Sequence, residues 1–492
     1  MRFGKFLTMA AVPMMILACS EDYTGPAATN TGDNNPAEQP GDSILPNNPD
    51  SLLKPITRDY SLIWKGEGTA ESPYLISSEQ DLASLAFYVN DSSMNFKGNF
   101  FKQTADIALT KAWSPIGIYG DNDYGFGNRP FSGTYDGDSK TITGMTITDT
   151  ASYSGLFGLV RGAHVKNVII KGAKMDVGSY AGALAGMMDS TTVENCTVED
   201  AQIKGADRVA GLIGEAMHLT MTNVLVSGSI TGTASVGGIL GRVQNGTLTS
   251  LTNKASVTGT STVGGLVGAS ASVGSESTIS TAYNYGEVKG SKDVGGVVAT
   301  ISMTKLEHSG NYAAVTASES QMGSVGGVVA VASSKATVNE VFNTGKVTAT
   351  KVLAAGGVIG SLKTISASNV FNHGEVSGDA STFKGGVVGI ADGAGAKMES
   401  SYNKGVVPTD NNAGTVAGKI SSTVEVKNVY FDSTIGTGSK TYGGDPFGVE
   451  IPTGVASADM KTSAFIAKLG SAEVWTVDAA KMDGYPIFTW LK

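Results

Sequence analysis

Through most of the chain, apolar residues come in short runs punctuated by glycine pairs, and each run is followed by stretches in which apolar and polar positions alternate. The segment VGGLVGASASVGSESTISTAYNYGEVKG, residues 263–290, shows the pattern in full. It divides into three strand-like runs, Val263 to Val267, Ile279 to Tyr283 and Glu287 to Lys289, separated by Gly, Ser and Asn. Short β-branched runs bounded by turn residues predict strands. Helices are excluded here because no run is long enough and each interior glycine would cost a helix about 1 kcal/mol.

The pattern repeats. Glycines at 155, 182, 211, 238, 265, 296, 327, 357, 386 and 418 recur at steps of 27 to 32 residues, and asparagines at 167, 195, 223, 253, 284, 311, 343, 372, 403 and 428 follow with a similar period. A shared period in this range marks a solenoid. Three short strands per unit make one coil of a parallel β-helix, in which each coil hydrogen-bonds to the next at about 4.8 Å. Equivalent residues then stack. Aliphatics fill the interior, glycine recurs where φ is positive or no side chain fits, and asparagine amides form a ladder at a bend. The expected fold is all-β: a right-handed parallel β-helix of about ten coils with small helix-containing caps at both ends.

The flanks predict those caps. In SPYLISSEQDLASLAFYVND, Ser77 with Gln80 reads as a capping box, and Leu82, Leu85, Ala86 and Val89 share one helical face. Near the other end, ASADMKTSAFIAKLG reads as a helix stopping at Gly470, and VWTVDAAKMDGYPIFTWL as a closing strand pair. An open solenoid end is an unpaired strand row, so each flank is expected to cover one. The expected division is a signal segment over 1–18, a disordered tether over 19–58 rich in Pro, Asn, Asp and Gly, an N-terminal cap with first coils over 59–150, repeats over 151–430 and a C-terminal cap over 431–492.

Composition agrees with strands: 65 of 492 residues are Gly and only 16% are charged. The net charge of −9, without a Lys/Arg stripe, argues against nucleic acid as a partner. Arg2 and Lys5 precede an apolar run from Phe6 to Ala18, too short to span a bilayer, which reads as a secretory signal. Leu17-Ala18-Cys19 resembles the bacterial lipoprotein cleavage box, which implies acylation of Cys19 and an outer-membrane lipid partner. The following SEDY resembles the surface-export signal of Bacteroidota lipoproteins. Cys196, left without a partner, is expected to be a small buried hydrophobe.

The segments SGLFG, AGLIG, VGGILG, VGGLVG and GGVIG, each followed by an Asn-containing strand, resemble the GLUG repeat of bacterial surface proteins, which include adhesins and some surface proteases. The lead-in from GTAESPYLISSEQDLASLAFYVN to FSGTYDGDSKTITGMTI and the tail MKTSAFIAKLG to DGYPIFTW resemble the segments that flank such repeats. The resemblance covers nearly everything after the tether. Coils reading GGVVA, and VAGKIS near residue 418, depart from it and suggest irregular rungs. Since the repeat is a scaffold, it implies architecture and surface location more than chemistry.

Candidate chemistry is sparse. Acids are scattered, and His164, His218, His308 and His373 lack metal-ligand spacing, so neither a metal nor another cofactor is expected. His373 falls at a position occupied in other coils by Tyr, Thr or Lys, which reads as a solvent-facing turn. The loop Ile118 to Phe131 is a candidate site, and it also reads as a variable surface loop at the end of the rod. Asp121 and Asp123 alternate as in a calcium loop whose remainder is missing, and Tyr119, Tyr124, Phe126 and Arg129 could stack on a sugar. A second loop, GSKTYGGDPFG, has similar character. Asp-Ser/Thr-apolar triplets at Ser43, Ser51, Thr150, Ser190 and Ser433 resemble a Bacteroidota O-glycosylation sequon, with Ser43 and Ser51 in the tether the best placed. The expectation is a lipid-anchored, cell-surface, non-catalytic protein that adheres to or binds host or glycan ligands. The alternatives are a surface polysaccharide lyase or glycosidase on the same scaffold, or a structural spacer.

Overall fold

The computed structural model describes residues 63–120, 127–435, 440–443 and 449–492, all within one compact unit spanning Asp59–Lys492. The signal segment, the tether, Cys19, Ser43 and Ser51 lie outside the described residues.

Among the described residues, parallel strands stack into three long sheets, with one antiparallel strand pair near the C-terminus. One sheet holds ten strands, from Phe157–Arg161 to Ala417–Ile420. Ahead of them in the largest sheet, Tyr74–Ile76, Phe100–Gln103 and Thr134–Asp136 stack in turn onto His164–Lys166. The solenoid therefore has about 13 turns rather than ten. The first coils escaped the repeat count because rings, not aliphatics packed against glycine, fill them. Trp64, Phe96 and Phe101 meet edge to face, and Phe101, Phe131 and Phe157 continue the cluster inward.

Stacking register explains the glycine–asparagine period, with a correction. The asparagines form two ladders, not one. Asn167, Asn195 and Asn223 sit at an outer corner with φ of 53–55°. Each passes its amide to the coil before, beginning with Asn167 to Asp136 at 2.9 Å. Asn428 belongs to this corner too, with φ of 53°. Asn253, Asn284, Asn311, Asn343, Asn372 and Asn403 form a second, buried ladder, three positions further along the coil, linked amide to amide at 2.8–2.9 Å. Each inner amide also closes a turn on its own chain, as when Asn343 donates to Gly345 O and accepts from Gly345 N. Asparagine suits both corners for different reasons: it tolerates the left-handed backbone at the first, and bonds its own main chain at the second.

The inner ladder dictates the glycines. A Cβ on Gly238, Gly265, Gly296, Gly327, Gly357 or Gly386 would overlap the carbonyl of the next coil and the amide of Asn253, Asn284, Asn311, Asn343, Asn372 or Asn403 respectively. Close approach, not positive φ, selects glycine here. Gly418 is not in this series. Its place is taken by Thr415, whose carbonyl accepts from Asn403. The GGVVA coils are regular rungs: Val267, Val298, Val329 and Ile359 pair in unbroken register.

Helix α1, Glu79–Asn90, buries Leu82, Leu85, Ala86 and Val89. Its capping box lies one residue later than the sequence suggested: Ser78 Oγ accepts from Asp81 N, while Asp81 accepts from Ser78 Oγ and Ser77 N. Asp81 outcompetes Gln80 because an ionised carboxylate makes the stronger acceptor for amides at a helix N-terminus.

The C-terminal segment departs most from expectation. Its helix is split into α2, Ser457–Met460, and α3, Ser463–Leu469, the latter ending on Gly470 at φ 113°. Trp475–Val477 and Pro486–Phe488 form the expected antiparallel pair. These elements do not plug the end of the rod; they fold back along its side as a strap. Phe465, Trp475, Tyr485 and Phe488 pack on a stack formed by Phe342, Phe371 and Tyr402 of successive coils. Trp490 reaches Tyr283 and donates its indole N–H to Glu340, and Trp475 donates to Asn369. At the strap's root, Asp432 accepts from Ser457, Thr434 and Tyr485 hydroxyls; burial works against its charge, but these donors hold its pKa below the ordinary value.

The strap overturns the solvent-facing reading of His373. The equivalent Tyr285 is about half exposed, but His373 lies under the strap against Tyr402, Lys404 and Tyr485. Burial first, and then the Lys404 charge, push its pKa well below the usual value. The docked strap thus holds His373 neutral, whereas undocking exposes the imidazole, which then protonates near the ordinary pH of about 6.5. This contribution to docking is complete above that pH and is lost as pH falls, with a limiting slope of about 1.4 kcal/mol per unit. Hydrogen exchange in residues 457–491 is therefore expected to accelerate between pH 7 and 5 relative to exchange in the central coils, after correction for intrinsic rates. Equal protection ratios at the two pH values would refute this.

Candidate functional site

At one corner, just ahead of the ten-stranded sheet, five successive coils pass through a residue at positive φ. In successive coils this residue is Tyr153, Tyr180, Arg208, Ser235 and Thr262, with φ between 51° and 62°. The left-handed corner needs no ring, as Ser235 and Thr262 show. Any residue with a Cβ pays about 1–2 kcal/mol in this region, so the strain itself does not select a ring. Tyrosine at two consecutive corners is therefore a feature of the surface, not of the fold.

The rings form a column. Tyr119 stacks on Tyr153 at 4.3 Å and 10°, and Tyr153 on Tyr180 at 4.3 Å and 15°. The Arg208 guanidinium closes it, 4.7 Å from the Tyr180 ring centre, with Nη1 donating to Tyr180 Oη at 2.9 Å and to Asp207 at 2.7 Å. All four side chains are half-buried, so ring edges and hydroxyls line the surface. Burial, with Tyr180 beside it, pushes the Tyr153 phenol well above the ordinary value, keeping it a neutral donor.

A charged network flanks the column. Glu215 is 8% exposed and lies 3.4 Å from Arg208 Nε and 3.5 Å from Arg242 Nη1. Burial raises its pKa, and the two guanidinia oppose that rise. Arg208 Nε is buried without a hydrogen-bond acceptor in good geometry. Beside Tyr119 and Tyr153, a cleft of about 140 Å³ is lined by Asn90, Pro115, Asp149 and Ser152.

Of the loop residues singled out from sequence, Asp121, Asp123, Tyr124 and Phe126 lie outside the described residues. Tyr119 heads the column. Arg129 closes the loop's neck: its main chain pairs with Ile118 and its guanidinium donates to the Asn90 carbonyl. Tyr153, Tyr180 and Arg208 were missed, although the two tyrosines stand at the same offset before a glycine, in YSG and YAG of consecutive coils. Thr150, Ser190 and Ser433 are exposed. Cys196 is buried and unpaired, its thiol pushed up to about 12 by burial. Among the described residues no group of three or more His, Cys, Asp or Glu is placed to hold a metal. His164, His218 and His308 each pair with an acid, Glu194, Asp189 and Glu340, in separate coils.

No family model matches the chain. Two curated relatives match in part. Halomucin of Haloquadratum walsbyi is 34% identical over 164 residues, 31% of this chain and 2% of halomucin. A provisionally named Gly-rich membrane protein of Evansella cellulosilytica is 34% identical over 152 residues, 28% of this chain and 16% of that protein. The matched part of the chain thus spans a small fraction of either relative. Among solved structures, a candidate immunoglobulin A1 protease from Bacteroides ovatus aligns over 86% of this chain and 94% of that one, at 15% identity and a TM-score of 0.33.

Proposed function

We propose that this chain is a GLUG-type surface lipoprotein of the outer membrane, anchored through acylated Cys19, whose solenoid binds glycan or host ligands without catalysing their breakdown. The half-exposed tyrosine column ending at Arg208 is the observation that supports this. Ser235 and Thr262 show that the corner does not require a ring, and the exposed ring edges and hydroxyls suit a polar, hydroxyl-rich ligand. Attachment at Cys19 is supported by the likeness of Leu17-Ala18-Cys19 to a lipoprotein cleavage box; no helix among the described residues is long and apolar enough to cross a membrane. The name of the Evansella relative, a membrane protein, is in keeping with that location.

A polysaccharide-cleaving enzyme is the second reading, favoured by Glu215, a buried carboxyl of raised pKa beside phenols. Its pairing with Arg208 and Arg242 opposes protonation and suits a fixed charge better than an acid catalyst. One assay separates the readings. On immobilised glycans the protein is expected to be retained with no new reducing ends; release of reducing ends would establish the enzyme instead. In cells, the wild-type chain is expected in the membrane fraction and open to protease added outside, with Cys19→Ala lost from that fraction. Membrane retention of the variant would disprove the anchor.

A further inference from the structure

Resting on the binding reading above and narrowing its ligand, we infer that the column Tyr119–Tyr153–Tyr180–Arg208, with Glu215 and Arg242, takes an uncharged polysaccharide laid along the solenoid axis. The direction follows from the stack. Three rings from successive coils lie 4.3 Å apart, so their hydroxyl-bearing edges form a line down the rod, not a ring around a pocket. A line of repeated donors and acceptors matches a polymer of repeated hydroxyls better than a compact ligand.

The chemistry of the flank selects the polymer. Arg208 commits Nη1 to Tyr180 and Asp207, while its Nε makes no hydrogen bond. Arg242 makes an ion pair with Glu215 at 3.5 Å but no hydrogen bond among the described residues. Arg208 and Arg242 thus bracket one carboxylate, and the spare donors open to a ligand are those of Arg242, since Arg208 Nε is buried. A sugar hydroxyl both accepts and donates, so adjacent hydroxyls can accept a hydrogen bond from Arg242 and donate one to Glu215. An acidic or sulfated polymer fits worse. The charges of Arg208 and Arg242 are already balanced by Asp207 and Glu215. An incoming anion would meet the buried Glu215 carboxylate, on a chain of net charge −9.

The test is affinity electrophoresis of the full-length protein through gels holding a neutral polymer (dextran, mannan or soluble starch), an acidic one (polygalacturonate) or a sulfated one (heparin). Retardation is expected with a neutral polymer, little changed by salt. It should weaken about tenfold or more in Tyr119→Ala and in Arg242→Ala. Tyr119→Ala should melt like the wild type, while Arg242→Ala, which removes one partner of the buried Glu215, is compared at a temperature where circular dichroism shows it folded. Retardation by acidic or sulfated polymers alone, abolished by salt and by these variants, would overturn the ligand class while leaving the binding reading intact. Neutral-polymer binding that neither variant alters would overturn the site. No retardation by any polymer would defeat the ligand class together with the glycan reading on which it stands.

Discussion

Replacing Gly327 by valine is expected to destabilise the central coils by about 4 kcal/mol or more, at the upper end for a single substitution. A Cβ there would sit 2.0 Å from the Gly357 carbonyl oxygen and 2.3 Å from Asn343 Cγ. Neither can retreat. The carbonyl belongs to the next coil's backbone, and the Asn343 amide is held by Asn311, Asn372 and both main-chain groups of Gly345. Displacing the amide would strand buried donors and acceptors, each costing about 1–3 kcal/mol. Urea unfolding followed by circular dichroism measures the loss. Gly327→Ala combined with Asn343→Ala should cost less than the sum of the two single changes, because removing the amide relieves one of the two clashes. Strict additivity, or a valine variant within about 1 kcal/mol of wild type, would contradict the coupled ladder.

The second large effect lies in the strap. Trp475→Ala is expected to cost about 3–5 kcal/mol of docking. Its ring is 1% exposed and packs against Phe371, Tyr402 and Phe488, while its indole N–H donates to Asn369. The loss should be local, because coils are tied to each other by their own ladders and not by the strap. Limited proteolysis should cleave residues 457–491 rapidly while the solenoid persists, and the bared Phe342–Phe371–Tyr402 stack should bind a hydrophobic dye. Collapse of the whole solenoid together with the strap would show the two to be one cooperative unit.

The coil architecture was legible because stacking copies a chemical demand from one rung to the next: wherever Asn343 recurs as Asn372 or Asn403, the glycine opposite recurs too. Where that demand is absent, the sequence is silent. The first coils around Trp64 and Phe101 satisfy their interior with rings of individual shape, so no period announces them. The two asparagine corners looked like one series because a single letter answers two different backbone needs. The strap was misplaced because Phe342, Phe371 and Tyr402 precede their ladder asparagines directly, a position that alternation alone assigns to solvent; only the docked Trp475 and Phe488 make it interior. Of the candidate site, the sequence offered Tyr119 and Arg129. Tyr153, Tyr180 and Arg208 join Tyr119 only through the stacking of coils nearly thirty residues apart, and Arg129 serves the loop's neck.

Because the strap touches Tyr283, Phe342, Phe371, Tyr402 and Tyr430 in fixed succession, gain or loss of a whole unit beneath it would put every later contact out of step by about 4.8 Å. Units between Asn223 and Val267, which none of those contacts reaches, carry no such penalty. The molecule can therefore lengthen or shorten by unit duplication or deletion between Asn223 and Val267, while the part from Tyr283 onward is held to a set number of turns.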